Sequence, residues 1–193
     1  KLFTKDKEFW TSLRVTIVFA LMTVPGKIIL ALAVAIFLNR DIRGINLIRT
    51  LYYIPSLFGG SVAIAILWKL MFLDNGPINA VLTALRLPNV QFLGSTTWAL
   101  PTICLLEIWQ FGSSMVMFLA ALKNVPKSLY EAAEIDGAGK TKRFWHITLP
   151  QISPIIFFTV LNQTIQALQN FTSADVITEG GPLKSTYVLG MKL

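Results

Sequence analysis

The chain has 193 residues, 54% of them hydrophobic and only 14% charged, with a formal net charge of +7. Its apolar residues lie in long blocks, not at the spacing of amphipathic surface helices, which excludes an ordinary water-soluble domain and points to an integral membrane protein. The positive charge forms no basic patch with interleaved aromatics on a polar domain, so nucleic acid is excluded as a partner. The single cysteine, Cys104, cannot pair within the chain, and with the single histidine, His146, far away there is no metal-ligand cluster.

A bilayer core takes roughly 20 helical residues, and four segments satisfy it: about Leu13–Leu38, Leu51–Phe72, Ala99–Leu122 and Gln151–Phe171. The chain opens on Lys1 with no leader, and Tyr187–Leu193 opens another apolar run, so we expect part of a longer protein with a further span from about residue 187. In the first span Pro25-Gly26 removes a backbone donor and predicts a kink. Lys27 follows, where an ammonium needs water, an interface or a carboxylate; it is either a lining residue or half of a buried pair. Lys69, beside Trp68 at the end of the second span, can snorkel. Between spans two and three, Asp74-Asn75-Gly76-Pro77 predicts a turn and Ile78–Leu87 a short helix on the outer surface. Trp98 suits the interface.

The third span carries Glu107, near Trp109 and Gln110. An intramembrane carboxylate is a functional hypothesis by default, here a solute contact or a partner for Lys27. In the fourth span Thr159, Gln163, Gln166 and Asn170 fall at i, i+4, i+7 and i+11 on one helical face, flanked by Asn162 and Gln169. Buried amides can join helices, or they can line a wet path for a hydroxylated solute, because an amide both donates and accepts. Beyond it, Glu179-Gly180-Gly181-Pro182 predicts a turn.

The loop charges set the topology. Arg40, Arg43 and Arg49 lie between spans one and two, and Lys123, Lys127, Lys140, Lys142 and Arg143 between spans three and four; the other loops hold only Arg86 and Lys184. By the positive-inside rule, loops 39–50 and 123–150 are cytoplasmic. The N-terminal segment then lies outside, although it carries Lys1, Lys5, Lys7 and Arg14 against Asp6 and Glu8. Two internal loops outweigh it.

Residues 131–150, EAAEIDGAGKTKRFWHITLP, fit the pattern E-A-A, three residues, Gly, nine residues, I-x-L-P, with Glu131, Ala132, Ala133, Gly137, Ile147, Leu149 and Pro150 in place. Ser128-Leu129-Tyr130-Glu131 reads as a capping box, predicting a short helix from Ser128 that Gly137 ends. Its alanines would let another protein approach the backbone closely, while Glu131, Glu134 and Asp136 offer polar handles. Gly137-Ala138-Gly139-Lys140-Thr141 lacks the spacing of a phosphate-binding loop, so the chain is not expected to hydrolyse ATP.

The loop resembles the one by which membrane subunits of ATP-binding-cassette importers engage their ATPase. Ile48-Arg49-Thr50-Leu51-Tyr52-Tyr53-Ile54-Pro55-Ser56, Trp68, Asn124-Val125-Pro126-Lys127 and Gly180-Gly181-Pro182 look like the carbohydrate branch of that family, with its maltose, lactose and glycerol-phosphate permeases, in order and spacing. The resemblance implies an all-α, multi-span helical bundle, the type I importer transmembrane domain, incomplete here. It further implies a sugar or oligosaccharide as solute and a bacterial or archaeal inner membrane. The implied partners are an ATPase subunit dimer holding ATP and Mg, a second permease in a heterodimer, and an extracytoplasmic solute-binding protein. Glu131, Ala132, Ala133, Asp136, Gly137, Ile147, Leu149 and Pro150 would meet the ATPase; Glu107, Gln163, Gln166 and Asn170 are the candidate solute path. The alternatives are a non-sugar solute such as a polyol, glycerol phosphate or amino acid, or an ion-coupled transporter with coupling charges inside the membrane.

Overall fold

The computed structural model describes residues 7–39 and 44–192; Lys1, Lys5, Asp6, Arg40, Arg43 and Leu193, and so part of the charge argument above, lie outside the described residues. Within them the chain is helical and has no strand. The helices are α1 (Lys7–Leu38), α2 (Ile45–Leu57), α3 (Val62–Met71), α4 (Pro77–Ala84), α5 (Ala99–Trp109), α6 (Gly112–Lys123), α7 (Lys127–Ile135), α8 (Lys140–Arg143), α9 (Leu149–Leu168) and α10 (Thr172–Thr178), with a π-helical turn at Phe144–Thr148 and a 3-10 turn at Leu189–Met191.

Two continuous helical runs, Glu8–Leu38 and Lys140–Leu168, are long and apolar enough to cross a membrane, and α2 with α3 and α5 with α6 pass the same test as interrupted pairs. The first run begins before Leu13 and passes through Pro25. Its hydroxyls bond their own helix, Thr16 to the Ser12 carbonyl and Thr23 to the Phe19 carbonyl, which satisfies them without water. The second predicted span is broken at residues 58–61, where Gly59-Gly60-Ser61 includes a glycine at φ 73°. The third is broken at Gln110-Phe111. The fourth starts eleven residues earlier than the hydropathy places it, because α8, the π turn and α9 form one run.

The chain divides into two compact units. One comprises Lys1–Gly26, Phe58–Trp109 and Gln163–Leu193; the other comprises Lys27–Leu57 and Gln110–Asn162. In the first unit α10 packs on α3 and α5. Trp68 Nε1 donates to the Thr102 carbonyl at 3.0 Å, and Lys69 Nζ to the Val176 carbonyl at 3.2 Å, so Lys69 fastens α3 to α10 in addition to lying near a helix end. Trp109, Trp68, Phe72, Phe92 and Trp98 form a continuous series of ring contacts. The predicted turn and helix between spans appear as α4, whose buried Asn79 bonds the Leu73 carbonyl and both backbone groups of Val90.

In the second unit α2 packs against α6. Gly112 permits the approach: a Cβ there would lie 2.6 Å from the Tyr52 carbonyl oxygen and 2.8 Å from Tyr53 Cα, both backbone atoms unable to yield. Arg49 donates to the Leu38 carbonyl at the end of α1 and to Asn46 Oδ1. Lys27 is buried, with 7% of its surface exposed.

Candidate functional site

The segment 124–150 lies wholly in the second unit. Pro126, which disfavours helix before it, leaves α7 to begin at Lys127, one residue earlier than the capping box predicts, and no side chain caps the helix. Ser128 and Glu131 therefore sit inside the first turns, and the predicted capping box is not formed. The other end behaves as expected. Gly137 adopts φ 72°, its N–H reaches the Glu134 carbonyl at 3.0 Å, and the Ala138 N–H reaches the Ala133 carbonyl at 2.8 Å. These two bonds close the exposed carbonyls of the helix end as a left-handed glycine cap does.

The outer surface of α7 is open. Glu131, Ala132, Asp136 and Gly137 are exposed, Ala133 is half-buried, and Ile135 keeps 87% of its surface. Nothing lies within 4 Å of the position a Gly137 Cβ would take. An exposed apolar tip beside two small residues is a surface another protein can cover. The inner side is latched to the foot of the fourth span. Tyr130 Oη and Thr148 Oγ1 are hydrogen-bonded at 2.8 Å across eighteen residues, and Arg143 Nη1 donates to Glu134 Oε2 at 2.9 Å. None of the four occupies a specified position of the motif, although Glu134 is one of the expected polar handles, and no spacing rule pairs Tyr130 with Thr148.

Ile147, half-buried, lies in the π turn; Leu149, also half-buried, and exposed Pro150 open α9. In an α-helix the Pro150 ring would press on the carbonyl four residues back, that of His146, and its missing N–H would leave that carbonyl without a helical partner. The wider π turn immediately before it relieves the clash, so the I-x-L-P end of the motif encodes a local irregularity of the kind found at functional positions. His146 is exposed, its Nδ1 3.0 Å from the Lys142 carbonyl oxygen.

The second candidate group lies in the first unit. Asn170 Nδ2 donates to Glu107 Oε1 at 2.8 Å, and Ser173 Oγ donates to Asn170 Oδ1 at 2.7 Å. The structure thus joins Glu107 to Asn170, which sequence spacing leaves separate, and adds Ser173. The helical stripe itself is shortened: α9 ends at Leu168, and Asn170 lies in the connection to α10 rather than on its face. An Asn side chain that bonds Ser173 competes with helix continuation. Gln163 is buried and Gln166 exposed. Among the described residues no group of His, Cys, Asp and Glu is arranged to hold a metal ion.

Residues 7–192 match the family model described as binding-protein-dependent transport system inner membrane component. The chain is 46% identical, over its whole length, to 63% of the probable ABC transporter permease YesP of Bacillus subtilis. It is 38% identical to the sulfoquinovosyl glycerol transport system permease SmoG of Agrobacterium fabrum, over 96% of this chain and 61% of that one. The lactose transport system permease LacF of Rhizobium radiobacter is 37% identical over 96% of this chain and 64% of its own. The chain therefore spans somewhat less than two thirds of these relatives' length. A solved bacterial ABC transporter involved in the import of the acidic polysaccharide alginate superposes with a TM-score of 0.81 over 97% of this chain and 67% of that one, at 24% identity, a likeness of fold. The all-helical architecture, the membrane-length helices and the family match agree: the chain belongs to the binding-protein-dependent transport system inner membrane components, the permease family of ABC transporters.

Proposed function

We propose that this chain is the transmembrane core of a permease subunit in an ATP-driven importer, moving a sugar or oligosaccharide from an external binding protein to the cytoplasm. The observation that carries this is α7: a short helix with Glu131, Ala132 and Asp136 exposed and its back latched to the fourth span through Tyr130–Thr148 and Glu134–Arg143. A rigid finger fixed to a membrane helix transmits a push; a solvated loop does not. In this reading a separate ATPase dimer binds ATP and Mg, seats α7, and moves the fourth span as it closes. A second permease completes the passage, and loops 39–50 and 123–150 face the cytoplasm of a bacterial or archaeal inner membrane.

The solute class draws on the transport named for the relatives, sulfoquinovosyl glycerol for SmoG and lactose for LacF. Glu107 and Asn170, joined at 2.8 Å, with Gln163 and Gln166 along α9, supply the acceptors and donors that hydroxyl groups need. The test is Gly137→Leu and Glu131→Lys in the assembled complex. Leucine at φ 72° is strained by about 1–2 kcal/mol. We expect both variants to insert and assemble yet lose most solute uptake and the stimulation of ATP hydrolysis by loaded binding protein. Normal uptake with normal stimulation in both would refute the docking role.

A further inference from the structure

A cleft of about 440 Å³ opens in the first unit between the start of α1, α5 and the turn after α10, lined in part by Trp10, Arg14, Val18, Leu100, Lys184 and Ser185. Its chemistry is split. Arg14 is exposed and has no hydrogen-bond or ion-pair partner among the described residues. Lys184, exposed at the rim, pairs with Glu8, which also lies 3.7 Å from Lys192. Ser185 Oγ is buried and without a hydrogen-bond partner. An unpaired guanidinium lining the same cleft as this unsatisfied hydroxyl calls for an acceptor with several oxygens.

Below Arg14 the same face of α1 turns apolar and stays uncovered. Val18, Leu21, Met22 and Pro25 follow Arg14 at helical spacing, and Val18, Leu21 and Met22 keep 37%, 68% and 40% of their surface. The stripe runs about 16 Å along the helix axis. Trp10 stands at its head, 54% exposed, where an interfacial aromatic belongs. A cationic, donor-rich cleft at an interface, continued by an apolar track into the hydrocarbon, matches an amphiphile with an anionic head and an acyl tail.

We propose that this cleft binds the phosphate head of an anionic phospholipid of the outer leaflet, with Arg14 and Ser185 on the phosphate, Lys184 at its rim and an acyl chain along Val18 to Met22. It rests on the membrane reading and topology above but not on the docking of α7. A free phosphate ion would satisfy the head of the site and not the track.

The test uses the full-length permease assembled with its partners in phosphatidylcholine vesicles containing phosphatidylglycerol. Either lipid carries a photoactivatable group in its acyl chain, and the labelled peptides are mapped. Phosphatidylglycerol should label residues 10–22 several-fold more than phosphatidylcholine. Arg14→Gln should lower that labelling about tenfold, as for one lost charge-assisted hydrogen bond, and Arg14→Lys should restore part of it. Inorganic phosphate, which meets the head of the site but lacks the tail, should lower it only slightly. Equal labelling by both lipids, no effect of Arg14→Gln, full protection by inorganic phosphate, or absence of label because other protein covers the track would each overturn the proposal. ATP-driven uptake by the same samples is the control: Arg14→Gln should retain it, so a failure of the lipid site and a failure of the transport reading are separately visible.

Discussion

Removing the latch behind α7 should uncouple hydrolysis from transport without removing either partner. The Tyr130–Thr148 bond is 2.8 Å long and partly buried, and such a bond contributes about 1 kcal/mol net. The Glu134–Arg143 pair has its acid largely in solvent, so about 0.5 kcal/mol is the expected share. Together they favour the docked arrangement of α7 on the fourth span by about 1.5 kcal/mol, roughly tenfold in its population. Tyr130→Phe should therefore lower solute moved per ATP hydrolysed in proteoliposomes by roughly fivefold. Thr148→Val added to it should do little more, because both changes break one bond. Tyr130→Phe with Glu134→Gln should approach tenfold, while ATP binding to the partner stays normal. An unchanged transport-to-hydrolysis ratio in that double variant would refute the latch.

Two further outcomes follow from the packing. Gly112→Ala should destabilise the second unit by about 1–3 kcal/mol through overpacking on the Tyr52–Tyr53 backbone, seen as a lower melting temperature of the purified complex with the α7 surface untouched. Gln166→Leu should cut uptake with little change in melting temperature if the exposed amide contacts solute, since the interaction lost is worth about 1 kcal/mol; unchanged uptake with a lowered melting temperature would assign it to helix association and remove it from the path.

The sequence exposes some of these features and hides others for definite reasons. Membrane segments were legible because apolar length is a local property, and Gly137 was legible because only a residue tolerant of φ 72° ends α7 this way. The interruptions of spans two and three were not, since hydropathy averages over Gly59-Gly60-Ser61 and over Gln110-Phe111. The helical foot of the fourth span was hidden because Lys140, Lys142 and Arg143 read as loop while forming α8. Spacing alone puts Asn170 on a helix face; its bond to Glu107 spans 63 residues, a chain distance no periodicity reports. The Tyr130–Thr148 bond, across eighteen residues, is hidden for the same reason.

Cross-linking reports whether α7 is the surface that an ATPase grips. With a single cysteine at Ala132 of the full-length permease, in a background lacking Cys104, and a cysteine scan along the ATPase surface, the assembled complex should yield an ATPase–permease cross-link whose efficiency changes on ATP binding. A cysteine at Asn75 should give none and should label from outside sealed cells. Failure of Ala132 to cross-link at any ATPase position in an active complex, or cross-linking from Asn75 instead, would contradict the account.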